Sequence, residues 1–432
     1  MIAKFCKNLS VQIKQSGSTI GWIAYSWADS AFALCILSAF FPILFKNYYL
    51  SPELAADSTA RLGFANGISG FIAALLCPVF AVIIAQKDKR KKSLTIFSLL
   101  GISVVLLLYF IQDGQYFFAI ILFIAANIFY RLSSMCHDSL LSAVALPKNC
   151  HRVSAIGFSA GYLGGAIIFG LNILMVSYPS SFGFKDTITA AKLSVLTAGL
   201  WWLIFSLPLY FTRIERQPHN LVADSLNSFL TNLKDTIKFA WKTPKIRIFL
   251  IAYWFYIDGV HSFVMMAADY GLSLGFPPGR LMLSLLAVQL TAFPFAILAG
   301  LAAHKFGAKK ILFISIAIYT AITICSAWIM EKGWQFTLFA IFTGFVQGGI
   351  QSVSRSYFSL IIPADKQTEL FGLFNMLGRF AVAAGPILIA LCTIAAQSYG
   401  FSGNIPQRIG ITSLVLPFAI GFFLLWRVPK SG

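Results

Sequence analysis

Apolar runs long enough to cross a bilayer recur from one end of this chain to the other. A spanning helix needs about 20 consecutive, mostly apolar residues. Twelve such runs are legible, over residues 20–46, 60–86, 93–112, 115–144, 154–177, 191–212, 246–272, 281–303, 310–330, 334–360, 368–397 and 407–427. Composition agrees, with 58% of residues hydrophobic and 11% charged, where a soluble domain carries roughly 25% charged. The 42 Phe and 9 Trp suit lipid-facing and interfacial positions. The fold class predicted is an all-α polytopic membrane protein with twelve transmembrane helices.

The net charge of +18 would point to nucleic acid in a soluble protein. Here it follows topology. With both termini on the cytoplasmic side, 23 of the 33 Lys and Arg fall on that side. Seven fall opposite (Lys46, Arg61, Lys185, Lys192, Arg280, Lys332 and Arg408), and Arg131, Arg355 and Arg379 lie within spans. Basic loops stay on the cytoplasmic side, so both termini are expected there, and nucleic acid is not the partner. The first 19 residues are too polar for a signal-peptide core, so the first span is read as an uncleaved anchor. The seven Cys have no C-x-x-C spacing and read as small buried hydrophobes.

The longest polar stretch, 213–245, contains Pro218 and Pro244 and is predicted to hold a short amphipathic surface helix around 224–241. It divides the chain into an N-terminal six-helix half (1–212), a cytoplasmic central loop (213–245) and a C-terminal six-helix half (246–432). An internal repeat supports the division. The basic loops 88-DKRKK-92 and 304-HKFGAKK-310 start 216 residues apart, as do Pro147 and Pro363 at the ends of spans four and ten. Tyr25, Trp27 and Asp29 in span one are echoed by Trp254, Tyr256 and Asp258 in span seven. Equivalent halves are the sequence mark of carriers that rock about a midplane site.

An ionisable group at mid-bilayer costs about 2.5–3.5 kcal/mol on insertion scales and therefore faces the bundle interior and a partner. Asp29 is the one charged residue between Ile20 and Phe45, on a face with Tyr25 and Phe32. In span four Asn127, Arg131, Ser134 and Asp138 form one stripe at i, i+4, i+7, i+11. Arg131 and Asp138 are two turns apart, about 10 Å, and so need partners elsewhere. Arg131 suits a carboxylate bidentately. Asp258, His261, Met265 and Asp269 repeat the pattern in span seven, where an Asp and a His one turn apart suit proton transfer. Each of these has a bland alternative: a helix–helix hydrogen bond for Asp29, a static brace for the span-four pair, a satisfied core histidine, or an edge position for Asp269. Gln347, Gln351 and Arg355 step by four along span ten, and Asn375 and Arg379 along span eleven. Glycines at 157, 161, 164 and 165, and again at 372, 378 and 385, permit either close packing or sliding. No Walker A sequence, metal-ligand spacing or G-x-S-x-G elbow is present, so neither ATP, a metal nor any cofactor is implied.

The spans and the duplicated basic loop resemble the major facilitator superfamily along the whole chain. Its loop pattern, G-x-x-x-D-[RK]-x-G-[RK]-[RK], is kept at Asp88, Lys89 and Lys92 in the first copy, and at Gly300, Lys305 and Gly307 in the second, with His304 in place of the acid. The resemblance implies that Asp88, Lys89, Lys92 and Lys305 latch one conformation; Arg355, near the end of its span, is a further gating candidate. Three stretches look like the vacuole-effluxer family within it: 22-WIAYSWADSAF-32, 252-AYWFYIDGVHSF-263 and 348-GGIQSVSRSYFSLIIP-363 with 369-ELFGLFNMLGRF-380. Where that family has Y-D-W-A-N-S and D-G-V-Q, this chain has Ser26, Asp29 and His261, so the acid of span one is displaced by one turn.

The expectation is a secondary transporter, not an enzyme. It would move a small polar solute, an amino acid or similar zwitterion, by alternating access with protons as coupling ion. It is expected as a monomer in a bacterial inner membrane. Asp29, Asn127, Arg131, Asp138, Asp258, His261, Gln347, Gln351, Asn375 and Arg379 are candidates for binding and coupling, with Tyr25, Trp27 and Tyr256 as aromatic walls. Rivals are transport of a larger amphiphile, such as a drug or siderophore-like carboxylate, and an intramembrane enzyme or lipid scramblase.

Overall fold

The computed structural model describes residues 17–86, 90–145, 150–213, 226–363, 366–381 and 384–429. Among these, eleven helices are long and apolar enough to cross a membrane. Spans one to six run over Gly17–Tyr49, Ser58–Gln86, Arg90–Leu108, Tyr116–Val144, Cys150–Ser177 and Thr187–Phe211. Spans seven to ten are Pro244–Ser273, Pro278–Phe306, Ala308–Trp328 and Gly333–Ile361, and span twelve covers Ile405–Arg427.

Span eleven departs from the single run expected over 368–397. It is two helices, Gln367–Phe380 and Ala384–Ser398, and Ala381 between them leaves helical geometry at ψ 12°. Each part, at 14 and 15 residues, is too short to cross alone, so eleven long helices are counted among the described residues. In lipid such a break is stable only inside a bundle, where neighbours satisfy the freed backbone groups.

Span one holds a second irregularity. Beyond Ala31 its helix widens to π geometry over Phe32–Phe40, and again over Phe45–Tyr49. The Phe41 N–H donates to the Ile36 carbonyl and the Leu50 N–H to that of Phe45, five residues back in each case. π turns are rare and cluster at functional positions. Here the wide segment starts three residues after Asp29 and is buried along almost all its length. Bulky neighbours hold it: Phe32 stacks on Tyr130 at 4.7 Å and Phe41 on Phe123 at 4.0 Å.

Span one is wedged between spans five and six and against span four. The close approach to span five comes from glycines. A Cβ at Gly161 would lie 3.2 Å from the Ser26 carbonyl oxygen, and one at Gly164 2.6 Å from the Trp27 ring. The first and last six spans meet where span two packs on the second part of span eleven, span five on span eight, and the π segment of span one on span seven. The surface helix is present as Leu226–Lys242 and packs on spans two, seven and eleven. Of the latch loop residues, Asp88 and Lys89 lie outside the described part, as does the His304 side chain; Lys92 and Lys305 are exposed.

Candidate functional site

The span-four stripe is the centre of a polar network. Arg131 Nε donates to Asn127 Oδ1 at 2.9 Å, and Asn127 Nδ2 donates to Asn66 Oδ1 at 3.3 Å. Asn66 Nδ2 in turn reaches Met266 Sδ at 3.9 Å. Spans four, two and seven are thereby linked through buried groups. Ser134, one turn beyond Arg131, donates to Asp29 Oδ2 at 3.4 Å, which brings span one in. His261 of span seven is near enough to Arg131 for their charges to interact. Asp29, Asn127, Arg131, Ser134 and His261 therefore gather from three spans around one region, with Asp29, Arg131 and His261 only half-buried. Held from Nε by Asn127, the Arg131 guanidinium has its plane set, which is what bidentate recognition of a carboxylate needs.

Asp138 does not join this group. It sits nearer the end bearing the termini, with its side chain 39% exposed and 3.9 Å from Nδ1 of the neighbouring His137. His137 carried no sequence signal beyond its type, and the fold gives it a structural place. Its ring stacks on Trp22 at 4.3 Å, its Nε2 meets the Trp22 carbonyl at 2.9 Å, and Trp22 Nε1 donates back to the His137 carbonyl at 2.8 Å. Tyr25 completes the stack at 4.8 Å and is fully buried. Tyr25 is thus a wall between spans one and four.

Trp27 faces elsewhere. Two residues along a helix is roughly 200° of rotation, so it leaves the Asp29 face and packs on Trp201 and Phe205 of span six. Tyr256 is fully buried as well, its hydroxyl 2.6 Å from Ser354 Oγ of span ten. Neither ring is brought to Asp29.

Asp258 is 3% exposed, and among the described residues its Oδ1 has no hydrogen-bond partner. The carboxylate faces the backbone N–H groups of Ala384 and Gly385, the first residues after the break in span eleven. The N-terminus of a helix carries partial positive charge and unsatisfied donors, so the break and the acid suit each other. Asp258 is separated from His261 by one turn but is turned toward span eleven. In span ten Gln347 is buried with Oε1 unpartnered, Gln351 is half-buried, and the Arg355 guanidinium lies 5.0 Å over the Phe158 ring of span five. The side chains of Asn375 and Arg379 lie outside the described part. A separate cavity of about 40 Å³ between spans seven to ten and twelve is lined by Phe263, Tyr270, Phe336 and Phe339, with no charged residue.

Asp269 lies one turn from the outer end of span seven but is no exposed edge residue. It is fully buried, accepts from Ser58 Oγ at 2.7 Å and also from the Thr59 hydroxyl. Lys46 of span one donates to Ser273 Oγ at 2.8 Å beside it. Lys46, Ser58 and Thr59 were legible only as interhelix or helix-end residues; the cluster exists because three spans converge at the end opposite the termini.

The family model described as "Vacuole effluxer Atg22 like" matches residues 49–431. The chain belongs to that family. A relative in Bacillus subtilis (strain 168), described as the uncharacterized MFS-type transporter YxiO, is 32% identical over 95% of this chain and 94% of its own length. Autophagy-related protein 22 of Saccharomyces cerevisiae (strain ATCC 204508 / S288c) is 22% identical over 90% of this chain and 89% of that protein. Among solved structures, the D-xylose-proton symporter superposes with a TM-score of 0.72 at 14% identity, covering 95% of this chain and 98% of that one. A point mutant of the nucleoside transporter NupG gives 0.70 at 14% identity, over 95% and 100%. At these identities the superpositions establish the fold: twelve helices in the major facilitator arrangement. This member of the effluxer family is a multi-pass membrane transporter of the major facilitator type, not an enzyme.

Proposed function

We propose that this transporter moves a small zwitterionic solute, with an amino acid as the simplest case, by alternating access coupled to protons. The observation that carries the reading is that Asp29 accepts from Ser134, which lies one turn along span four from the Asn127-held Arg131. An ammonium group fits the acid and a carboxylate the guanidinium, on adjoining spans. The effluxer name of the family supports movement of a solute across the membrane. Residues 1–212 and 246–432 are the two rocking halves, joined by 213–245, with the termini cytoplasmic in a bacterial inner membrane and the chain acting as a monomer.

Asp258 is the proposed coupling acid. Among the described residues no group bonds its buried Oδ1, which leaves that oxygen for a proton, and its other oxygen lies beside Gly385 at the start of Ala384–Ser398. Neutralising the carboxylate removes its attraction for that helix end and frees span eleven to shift.

Liposomes holding the purified protein, with an inward pH gradient and a panel of amino acids, short peptides, nucleosides and organic carboxylates, test this. The expected outcome is that amino acids alone collapse the gradient, that Asp29→Asn abolishes uptake, and that Asp258→Asn keeps solute exchange but loses proton movement. Gradient collapse by nucleosides or bulky carboxylates, unaffected by Asp29→Asn, would refute the reading.

A further inference from the structure

The surface helix Leu226–Lys242 has two faces, and only one is used by the bundle. Thr236 and Ala240 are buried and Phe239 half-buried, where the helix packs on spans two, seven and eleven. Lys366, at the start of span eleven, holds that side with its Nζ 4.3 Å over the Phe239 ring. On the outward side Lys234, Ile237, Lys238, Trp241 and Lys242 fall at i, i+3, i+4, i+7 and i+8, a single stripe. All five are exposed, Ile237 by 41% and Trp241 by 59%.

The mixture is informative. A face turned to bulk water has no use for an exposed Trp beside an exposed Ile, and a face turned to acyl chains would exclude three lysines. Lysines around an aromatic and an aliphatic side chain suit the boundary between headgroups and chains. The placement agrees, since span seven begins at Pro244, two residues after Lys242. Arg247, in the first turn of that span, donates to the Trp241 carbonyl at 3.2 Å, with its guanidinium 5.6 Å over the ring. Over 234–247 the chain carries Lys234, Lys238, Lys242, Lys245 and Arg247 against Asp235 alone. We propose that this face is a docking surface for anionic lipid headgroups of the leaflet it borders, with Trp241 and Ile237 set at the chain boundary and the lysines on the phosphates. Bound lipid then pins the segment connecting the two sets of six spans to the membrane.

Nanodiscs made with phosphatidylcholine and about a third of phosphatidylglycerol supply the test, with the bromine-labelled chains on one lipid or the other. Subtracting the fluorescence of Trp241→Phe isolates the Trp241 signal. Brominated phosphatidylglycerol should quench it more than brominated phosphatidylcholine at equal mole fraction. The preference should fall about fivefold for each lysine removed along Lys234→Gln, Lys238→Gln and Lys242→Gln. High salt, which needs no variant, should flatten it in the wild-type protein. Equal quenching by the two lipids, or quenching of Trp241 by aqueous acrylamide but by neither lipid, overturns the proposal.

Discussion

Ser58 donates its hydroxyl to Asp269 at 2.7 Å, across 211 residues of chain, and both side chains are sealed from solvent. With Thr59 on the other carboxylate oxygen and Lys46 on Ser273, the contact ties spans one and two to span seven at the end opposite the termini. The alternating-access cycle proposed above would have to break it to open that end. Asp269→Ala leaves two hydroxyls without their acceptor; hydrogen bonds to charged groups contribute about 1.5–3 kcal/mol each. The equilibrium should therefore move toward the open state. Leu62→Cys, at a buried position one turn along span two from Ser58, should be labelled by maleimide at least tenfold faster in the Asp269→Ala background than alone. Unchanged labelling would show that the cluster is a brace and no gate.

Arg131→Lys keeps the charge of Arg131 but loses the Nε–H that fixes it to Asn127. An ammonium has no fork for a carboxylate. Solute affinity should fall by at least tenfold while the melting temperature in detergent moves by no more than about 2 °C. Isothermal titration beside a thermal melt separates the two. A wild-type affinity in Arg131→Lys would mean that the solute meets another cation.

Gly63→Ala probes the seam between spans two and eleven. The new Cβ would stand 2.6 Å from the Pro386 carbonyl oxygen and 2.9 Å from Ala390 Cβ. A backbone oxygen has no rotamer by which to move away. Overpacking of this kind costs about 1–3 kcal/mol. Thermal unfolding should shift down by several degrees, and Gly279→Ala, where a Cβ meets nothing, should be silent.

Asp186 caps span six outside the membrane. It accepts from the Thr189 N–H at 2.6 Å, and that bond holds its carboxyl below the usual Asp value. A depressed folded-state pKa contributes stability above the unfolded value of about 3.9 and loses it as pH falls through the folded value. Amide exchange at Thr189 should thus be protected at pH 6 and accelerate in strong acid. Asp186→Ala should remove the difference between the two conditions. Exchange that is insensitive to pH in the wild type, after correction for intrinsic rates, would count against the cap.

Spans, basic loops and the Asn127–Arg131 pair were readable because each depends on local spacing. Hydrocarbon demands length, and a helix places i and i+4 on one face. Asn66 also left a trace, as an amide inside an apolar run. Trp27 misled for the same local reason: proximity in sequence to Asp29 became opposition on the helix, against Trp201. The departure from helical geometry at Ala381 carried no proline at that residue to announce it, and the π turns of span one follow no local rule.

What the sequence by itself determined is the class of molecule, the number of crossings and the list of intramembrane charges. Solvent transfer energies act residue by residue, and so they can be read that way. Only the tertiary structure decided which charges meet. It set Asp258 against the broken span eleven, Asp269 against Ser58 and Thr59, and His137 against Trp22. Those pairings join residues 115 to 211 positions apart, and they depend on how glycine-lined helices pack, which no single helix encodes.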